Sequence, residues 1–292
     1  MRFYTVFRHH LRSRSTAIIA WGASLFILAA YLVALHDAFV SQQEQYLSLI
    51  SAYPPELMAA FGGSADLFTP SGFLNFTFFS YATVLLGFLA ISLGSGMLAA
   101  DEERGRLELV AAYPINRRSI FAARVLAVLL GIALILCVSW LGFVLFISGT
   151  GLEKVSAAQI ALPHLELLVL MFFFFSLALL LSQVLPTRGA ASGVAIALLL
   201  ASYVLKVLLE LDDSLASVEK FSPLHYIKGG YAIDGLNPAW ILGLLGVGLL
   251  LLLLAAWRFE RRDLRLSGEG SWGSVGKLLR RGPIFQSRHV ER

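Results

Sequence analysis

Residues 125–152 read VLAVLLGIALILCVSWLGFVLFISGTGL and contain no Asp, Glu, Lys, Arg or His, and this stretch decides the fold. A helix rises about 1.5 Å per residue, and the hydrocarbon core of a bilayer is about 30 Å thick. About 20 apolar residues in a helix are therefore enough to cross the membrane. The stretch satisfies this condition, so it predicts a transmembrane helix.

The composition of the whole chain agrees with this local signal. Of its 292 residues, 58% are apolar and 14% are Asp, Glu, Lys or Arg. A soluble domain carries roughly 25% charged residues, and a disordered chain needs low hydrophobicity and high charge. Both classes are therefore excluded. The single cysteine, Cys137, also excludes a disulfide framework and a multi-cysteine metal site.

Six apolar runs are long enough to span a bilayer, while the strand-like alternation of a membrane barrel is absent. The sequence therefore predicts an all-α integral membrane protein with six transmembrane helices inside residues 16–257. The predicted spans are Thr16–Leu35, Phe73–Ala100, Ile120–Ser148, Leu167–Leu185, Gly189–Leu209 and Pro238–Trp257.

The basic residues predict the orientation of these spans. Residues 1–15 hold four arginines, residues 101–118 hold four more, and residues 258–292 hold nine Lys or Arg. An excess of Lys and Arg marks cytoplasmic segments, so both termini are expected in the cytoplasm of a cell-membrane protein. The net charge of +4 then reports topology rather than nucleic-acid binding. A cleaved signal peptide is the less favoured alternative, because its apolar core would be only 7–15 residues long.

The segments outside the spans have their own patterns. Phe3, Phe7 and Leu11 share one face of a helix, which predicts a basic amphipathic helix over residues 1–15 at the cytoplasmic interface; a merely basic flank is the alternative. The outer loops, residues 36–72 and 210–237, predict short helices at the outer surface. Residues 258–292 are expected to form a basic cytoplasmic tail. Asn75 and Gln183, isolated polar residues inside spans, are interpreted as hydrogen-bonding links between helices.

The cytoplasmic segment 101–118 carries more information than its charge. Its four acidic residues and four arginines cancel, so orientation alone does not explain it. Leu107, Val110 and Ala111 share one helical face, Gly105 permits a break before them, and Pro114 ends the helix. Such a helix is suited to docking into a groove of a soluble partner, although periodicity alone leaves a solvated turn equally open.

This segment resembles the coupling region of the type-2 permeases of ATP-binding-cassette (ABC) transporters. Gly105, the apolar-Glu-apolar run Leu107–Leu109, Pro114 and the pair Arg117-Arg118 match in order and spacing. Arg106 stands where the family usually has Thr, and Asp101 where it usually has Glu, which bears on the docking contacts. The segments Ser222–Tyr226 and Trp257–Leu264 resemble the family's C-terminal half.

The resemblance implies one half of an ABC exporter for a hydrophobic or amphipathic small molecule, such as an antibiotic or drug. Two six-helix halves, identical or closely paralogous, would pair in the bilayer. Two separate ATPase subunits would bind the coupling segments. The residues implied in coupling are Asp101, Glu103, Gly105, Arg106, Leu107, Glu108, Val110, Pro114 and Arg117.

The sequence indicates that ATP is hydrolysed elsewhere. A P-loop requires G-x-x-x-x-G-K-[ST] to hold phosphates. The nearest stretch, Gly270–Leu278, has one residue too many between its glycines and Leu278 after its lysine. ATP and Mg²⁺ are therefore expected on the partner ATPase, and this chain is expected to hold no cofactor or metal and to be no enzyme.

Four small residues form a stripe at intervals of four in the fifth span: Gly189, Gly193, Ala197 and Ala201. Small residues let membrane helices approach closely. The stripe predicts contact between the two permease halves or a position along the transport pathway. Ordinary packing within one bundle is the alternative.

Charged residues near the outer ends of the spans are candidates for the transport pathway, because intramembrane charge is expensive. Lys206 and Glu210 lie four positions apart in or near the fifth span. The alternative is that they pair with each other or that Lys206 extends to the outer interface. His164 and Glu166, at the predicted edge of the fourth span, are interpreted in the same way.

Other classes of membrane protein find less support in the sequence. An intramembrane enzyme needs H-E-x-x-H, G-x-S-x-G or a deep ionisable pair, and none is present. A channel needs a charged ring or filter loop, and a secondary transporter needs buried carboxylates for ion coupling. The sequence predicts neither feature. An ABC permease with a mechanical or maturation role remains an alternative to drug export.

Overall fold

A computed structural model describes residues 3–50, 52–54, 66–98, 116–209 and 216–261. Every regular element within these ranges is helical. Six helices are long and apolar enough to cross a membrane, which confirms the predicted all-α fold with six spans. In chain order, the first to sixth spans are Ser15–Ser41, Pro70–Gly96, Arg117–Val144, Ala157–Val184, Arg188–Leu209 and Pro238–Arg261.

The fourth span begins well before its predicted start at Leu167. Its helix begins at Ala157, where Ser156 and Gln159 form a capping box in which each side chain bonds the other residue's backbone N–H. Glu166 therefore lies inside the helix and not at its edge, and only 1% of it is exposed. The predicted span begins just after this carboxylate, because an unpaired charge is costly in a bilayer. In the folded chain, backbone N–H groups of another segment pair with the carboxylate.

The second span is irregular near its start. Thr69 caps it by accepting a hydrogen bond from the N–H of Gly72 at 3.1 Å, and Pro70 occupies the first turn. A π-helical turn over Asn75–Phe79 separates the helix Pro70–Leu74 from the helix Ser80–Gly96. Such turns are rare and frequently occur at functional sites.

The third and fourth spans form the centre of the bundle. The most apolar stretch of the fourth span is 67% buried, compared with 17% in the fifth span. The fourth span packs against the second, third, fifth and sixth spans, while the first span packs against the third. A Cβ on Gly94 would collide with the backbone carbonyl of Phe175, so glycine allows the second and fourth spans to touch.

Shorter helices lie at the two ends of the bundle. The N-terminal helix Phe3–Ser13 packs against the start of the third span, at the end that also carries Arg118, Arg124, Arg188 and Arg258; we call this the basic end. The opposite end, which we call the loop end, holds the helices Gln43–Ile50 and Ala216–Glu219 and the 3₁₀ turns Pro223–Tyr226 and Gly229–Asp234. These agree with the short helices predicted for the two outer loops.

Candidate functional site

Most of the predicted coupling segment lies outside the described residues. This applies to Asp101, Glu103, Gly105, Arg106, Leu107, Glu108, Val110 and Pro114. Arg117 is described and is the first residue of the third span. The preceding Asn116 caps this helix, because its Oδ1 accepts a hydrogen bond from the N–H of Arg118 at 3.0 Å.

Both flanks of the predicted coupling segment are held by the bundle. On the N-terminal side, Met97 and Leu98 are buried, and the Met97 carbonyl accepts a hydrogen bond from Nη1 of Arg124 at 3.0 Å. Arg124 itself is only 6% exposed, so its guanidinium satisfies a carbonyl that the second span leaves open at its end. This contact links the end of the second span to the third span.

On the C-terminal side, Arg118 forms a two-pronged ion pair with Glu260. Nε donates to Oε1 at 2.7 Å and Nη2 donates to Oε2 at 3.0 Å. Two residues before Glu260, Nε of Arg258 donates to the carbonyl of Gln183 at 3.1 Å. The basic end thus connects the sixth span to both the third and the fourth spans.

The N-terminal helix carries an uncharged histidine at the basic end. The pKa of His10 is lowered from 6.5 to about 3, chiefly by burial and also by the nearby charges of Arg14 and Arg124. A cation there would be desolvated and would face two arginines. His10 therefore packs as a neutral side chain between the N-terminal helix and the third span.

The small-residue stripe of the fifth span lies on an exposed face. Gly189, Gly193, Ala197 and Ala201 are all exposed, whereas Ala191, Ala195 and Leu199 are buried on the opposite face. A Cβ placed on Gly193 would have no heavy atom within 4 Å. The described chain therefore packs the other side of this helix and leaves the stripe available; its role in pairing stays a prediction.

At the loop end, Glu166 holds a segment of the loop between the fifth and sixth spans. Its Oε2 accepts hydrogen bonds from the backbone N–H groups of Lys228 at 2.8 Å and Gly229 at 3.0 Å. The two bonds give the buried carboxylate the partners that the bilayer cannot supply. Glu166 thus joins the fourth span to the loop between the fifth and sixth spans.

Asn75 holds the same loop segment from the second span. Its Oδ1 accepts a hydrogen bond from the N–H of Gly230 at 3.0 Å. Gly229 has a positive φ of 63°, and a Cβ on Gly230 would collide with the backbone nitrogen of Asn75. The Gly-Gly pair is therefore required for the loop to approach the π-helical turn this closely.

Lysines complete the polar contacts at the loop end. Nζ of Lys206 donates to the carbonyl of Ile227 at 2.9 Å, and Nζ of Lys228 donates to the carbonyl of Gly235 at 2.8 Å. Lys206 thus bonds the loop backbone. Its predicted partner Glu210 lies outside the described residues. A role for either residue in the transport pathway stays a prediction.

His164 lies two residues before Glu166, in an aromatic pocket formed by Phe78, Phe79 and Phe143. Its Nδ1 is 2.9 Å from the carbonyl of Ile160, so this nitrogen carries the proton and donates. Nε2 is then an acceptor, and the hydroxyl of Ser139 lies 3.3 Å from it. Both ring nitrogens have partners inside the bundle, which agrees with a structural histidine.

The sequence interpretation missed how the loop is attached. Asn75 was expected to link helices, and its Oδ1 accepts a hydrogen bond from the backbone of Gly230 in the 3₁₀ turn Gly229–Asp234. The backbone carbonyl of Gln183 in the fourth span accepts a hydrogen bond from Arg258 of the sixth span. The side-chain Nε2 of Gln183 donates to the hydroxyl of the adjacent Ser182 at 3.2 Å. The signals for the loop attachment were the lone Glu166 in an apolar run and the pair Gly229-Gly230.

The six spans, with polar contacts concentrated at both ends, define a multi-pass helical membrane protein. The family described as "ABC-2 family transporter protein" matches residues 4–264. The chain belongs to this family and is an ABC transporter permease. A search of curated proteins found no match.

Proposed function

We propose that this chain is the membrane half of an ATP-driven exporter in the cell membrane. Two copies, or this chain and a close paralogue, pair in the bilayer, and two ABC ATPase subunits bind residues 101–118 at a cytoplasmic basic end. The ATPases bind ATP and Mg²⁺, and the paired permeases move a hydrophobic or amphipathic small molecule outward.

The observation that carries this proposal, beside the family match, is the attachment of both flanks of residues 101–118 to the spans. The Met97 carbonyl is bonded to Arg124, and Arg118 is paired with Glu260. A force applied to the segment would therefore reach the second, third and sixth spans. This is the mechanical connection that coupling to a separate ATPase requires.

The exposed stripe on the fifth span supports pairing of two halves. Without a hydrophobic driving force between helices in lipid, membrane helices associate through close packing, and small residues permit it. Gly189 and Gly193 present their backbones on the exposed face of a peripheral helix. A second permease half packed here would place the substrate pathway between the two halves.

The proposal is tested by co-expressing the permease with the ABC ATPase subunit that co-purifies with it. Inside-out vesicles should accumulate members of a panel of fluorescent hydrophobic drugs when ATP is added. Glu108→Arg and deletion of Leu107–Tyr113 should abolish accumulation while membrane insertion is retained. Lys154→Glu, an exposed change at the loop end, is the matched control and should leave accumulation unchanged. Full ATP-dependent accumulation by the Glu108→Arg variant would overturn the coupling assignment.

A further inference from the structure

A cavity of about 380 Å³ lies at the loop end between the fourth span, the sixth span and residues 220–226. Its wall includes Phe173 from the fourth span and Trp240, Gly243 and Val247 from the sixth, and its rim includes Lys220 and Phe221. Pockets that hold small ligands have volumes of about 300–1,000 Å³. The cavity is therefore large enough for part of a small molecule.

The cavity is open on the surface that faces lipid. Phe221 is 90% exposed and Val247 is 49% exposed, and a Cβ on Gly243 would meet no heavy atom within 4 Å. Leu242 and Leu250, on the same helix, are also exposed and belong to the outer surface of the bundle. An apolar cavity that opens beside such a surface is accessible to acyl chains.

An aromatic cluster fixes the depth of the rim. The ring of Trp240 lies 5.2 Å from that of His225 and 5.9 Å from that of Tyr226. Trp and Tyr concentrate where the bilayer meets water, so the rim is at the level of the lipid headgroups. The hydroxyl of Tyr226 donates to the carbonyl of Lys220 at 2.8 Å and holds the lysine backbone at that level.

The charged side chain in the cavity lining is Lys220. The carboxylate of Glu219, which is not part of the lining, lies 2.9 Å from Nδ1 of His225. Lys220 is exposed, and no ion pair joins its ammonium to another residue of the described ranges. Its apolar stem can follow the cavity rim while the ammonium reaches the headgroups.

We propose that this cavity binds one acyl chain of an anionic phospholipid, with the lipid phosphate against Lys220. The acyl chain occupies the apolar cavity, and the ammonium of Lys220 selects the anionic headgroup. This lipid site is separate from the exposed stripe of the fifth span, and it does not depend on the proposed transport activity.

The test uses the full-length permease without an ATPase, reconstituted in phosphatidylcholine vesicles. Dibrominated phosphatidylglycerol or dibrominated phosphatidylcholine is added at equal mole fraction, because bromine on an acyl chain quenches a neighbouring indole. The contribution of Trp240 is the difference between the wild-type protein and Trp240→Phe. We expect brominated phosphatidylglycerol to quench Trp240 more strongly than brominated phosphatidylcholine. Equal quenching by the two lipids would overturn the proposal.

Two variants separate the contact with the lipid headgroup from the contact with the acyl chain. Lys220→Gln, an exposed change that leaves the cavity intact, should reduce the preference for phosphatidylglycerol by about fivefold. Gly243→Leu should remove the quenching of Trp240 by both lipids, because its side chain enters the cavity. Gly246→Leu is the matched control, since its position on the same helix is equally open but lies outside the cavity lining.

Three outcomes would contradict the lipid site. The preference for phosphatidylglycerol could persist in Lys220→Gln, or Trp240 quenching could persist in Gly243→Leu. Gly243→Leu could also dissociate paired permeases while quenching continues, which would assign the surface to a protein contact. A result that contradicts the lipid site would not contradict the proposal of ATP-driven transport, so the two proposals can fail separately.

Discussion

Arg118 and Glu260 face each other across the basic end with two parallel hydrogen bonds, at 2.7 and 3.0 Å. One residue lies in the first turn of the third span and the other in the last turn of the sixth. The pair therefore closes a connection between the helix that follows the predicted coupling segment and the last helix of the bundle. Its side chains are 75% and 31% exposed, so its role in stability is small.

Reversing one charge of this pair should impair coupling more than folding. Arg118→Glu places two carboxylates together, and we expect ATP hydrolysis to continue while drug accumulation per ATP falls several-fold. The combined variant Arg118→Glu with Glu260→Arg restores the pair and should recover accumulation. Thermal unfolding should change by about 1 kcal/mol or less in the single variant. Coupling that stays normal in Arg118→Glu would show that this connection transmits no force.

Removing the Glu166 carboxylate should release the loop at Lys228. Glu166→Ala leaves the part-buried N–H of Lys228 and the buried N–H of Gly229 without an acceptor, and a buried group of this kind costs about 1–3 kcal/mol. Trypsin should then cut after Lys228 faster than in the wild-type protein, as measured by mass spectrometry of the fragments.

Glu166→Gln is the control for this experiment, because its amide oxygen can still accept a hydrogen bond and should preserve most of the protection. Cleavage after the exposed Lys154 provides an internal reference that should not change. Equal cleavage at Lys228 in the wild-type protein and Glu166→Ala would contradict the anchoring role.

The spans were predictable from sequence because the bilayer imposes a simple length rule on apolar helices. The fifth span shows this best: it was predicted as Gly189–Leu209 and is observed as Arg188–Leu209. The fourth span shows the limit of the rule. Glu166 interrupts its apolar run, and hydropathy treats this carboxylate as the end of the helix.

The attachment of the loop between the fifth and sixth spans was not predictable for a related reason. The partners of Glu166 and Asn75 are backbone N–H groups of residues 228–230, and backbone groups carry no distinguishing sequence signal. The partner positions lie far along the chain, so only the folded bundle brings them together. Side-chain pairs such as Arg118–Glu260 are equally distant in sequence and were missed as well.

Acidification should weaken the packing of the N-terminal helix through His10. The pKa of His10 is about 3 in the packed helix and would return towards 6.5 when the helix detaches. Below pH 6.5 the detached state therefore binds a proton that the packed state does not, so packing becomes less stable as the pH falls from about 6.5 towards 3. Between pH 6.5 and 5 the loss is roughly 2 kcal/mol.

Hydrogen exchange of Phe3–Ser13 at pH 7.5 and pH 5, corrected for the intrinsic exchange rate, measures this effect. Exchange should increase at pH 5 in the wild-type protein. His10→Leu keeps an apolar side chain and cannot be protonated, so its exchange should change little between the two pH values. The same pH response in both proteins would assign the effect to another group, such as His9.

A large side chain on the exposed stripe of the fifth span should prevent two permeases from pairing. Gly193→Leu meets no atom of its own chain, because nothing lies within 4 Å of the new Cβ, so the single bundle should fold normally. In the pair, the added side chain would overpack a close helix contact, which costs about 1–3 kcal/mol and corresponds to about tenfold weaker pairing. Native mass spectrometry in nanodiscs measures the paired fraction, and Gly246→Leu on the sixth span is the control. Undiminished pairing of Gly193→Leu would place the contact between the halves on another helix, because a leucine cannot fit where two glycine faces touch.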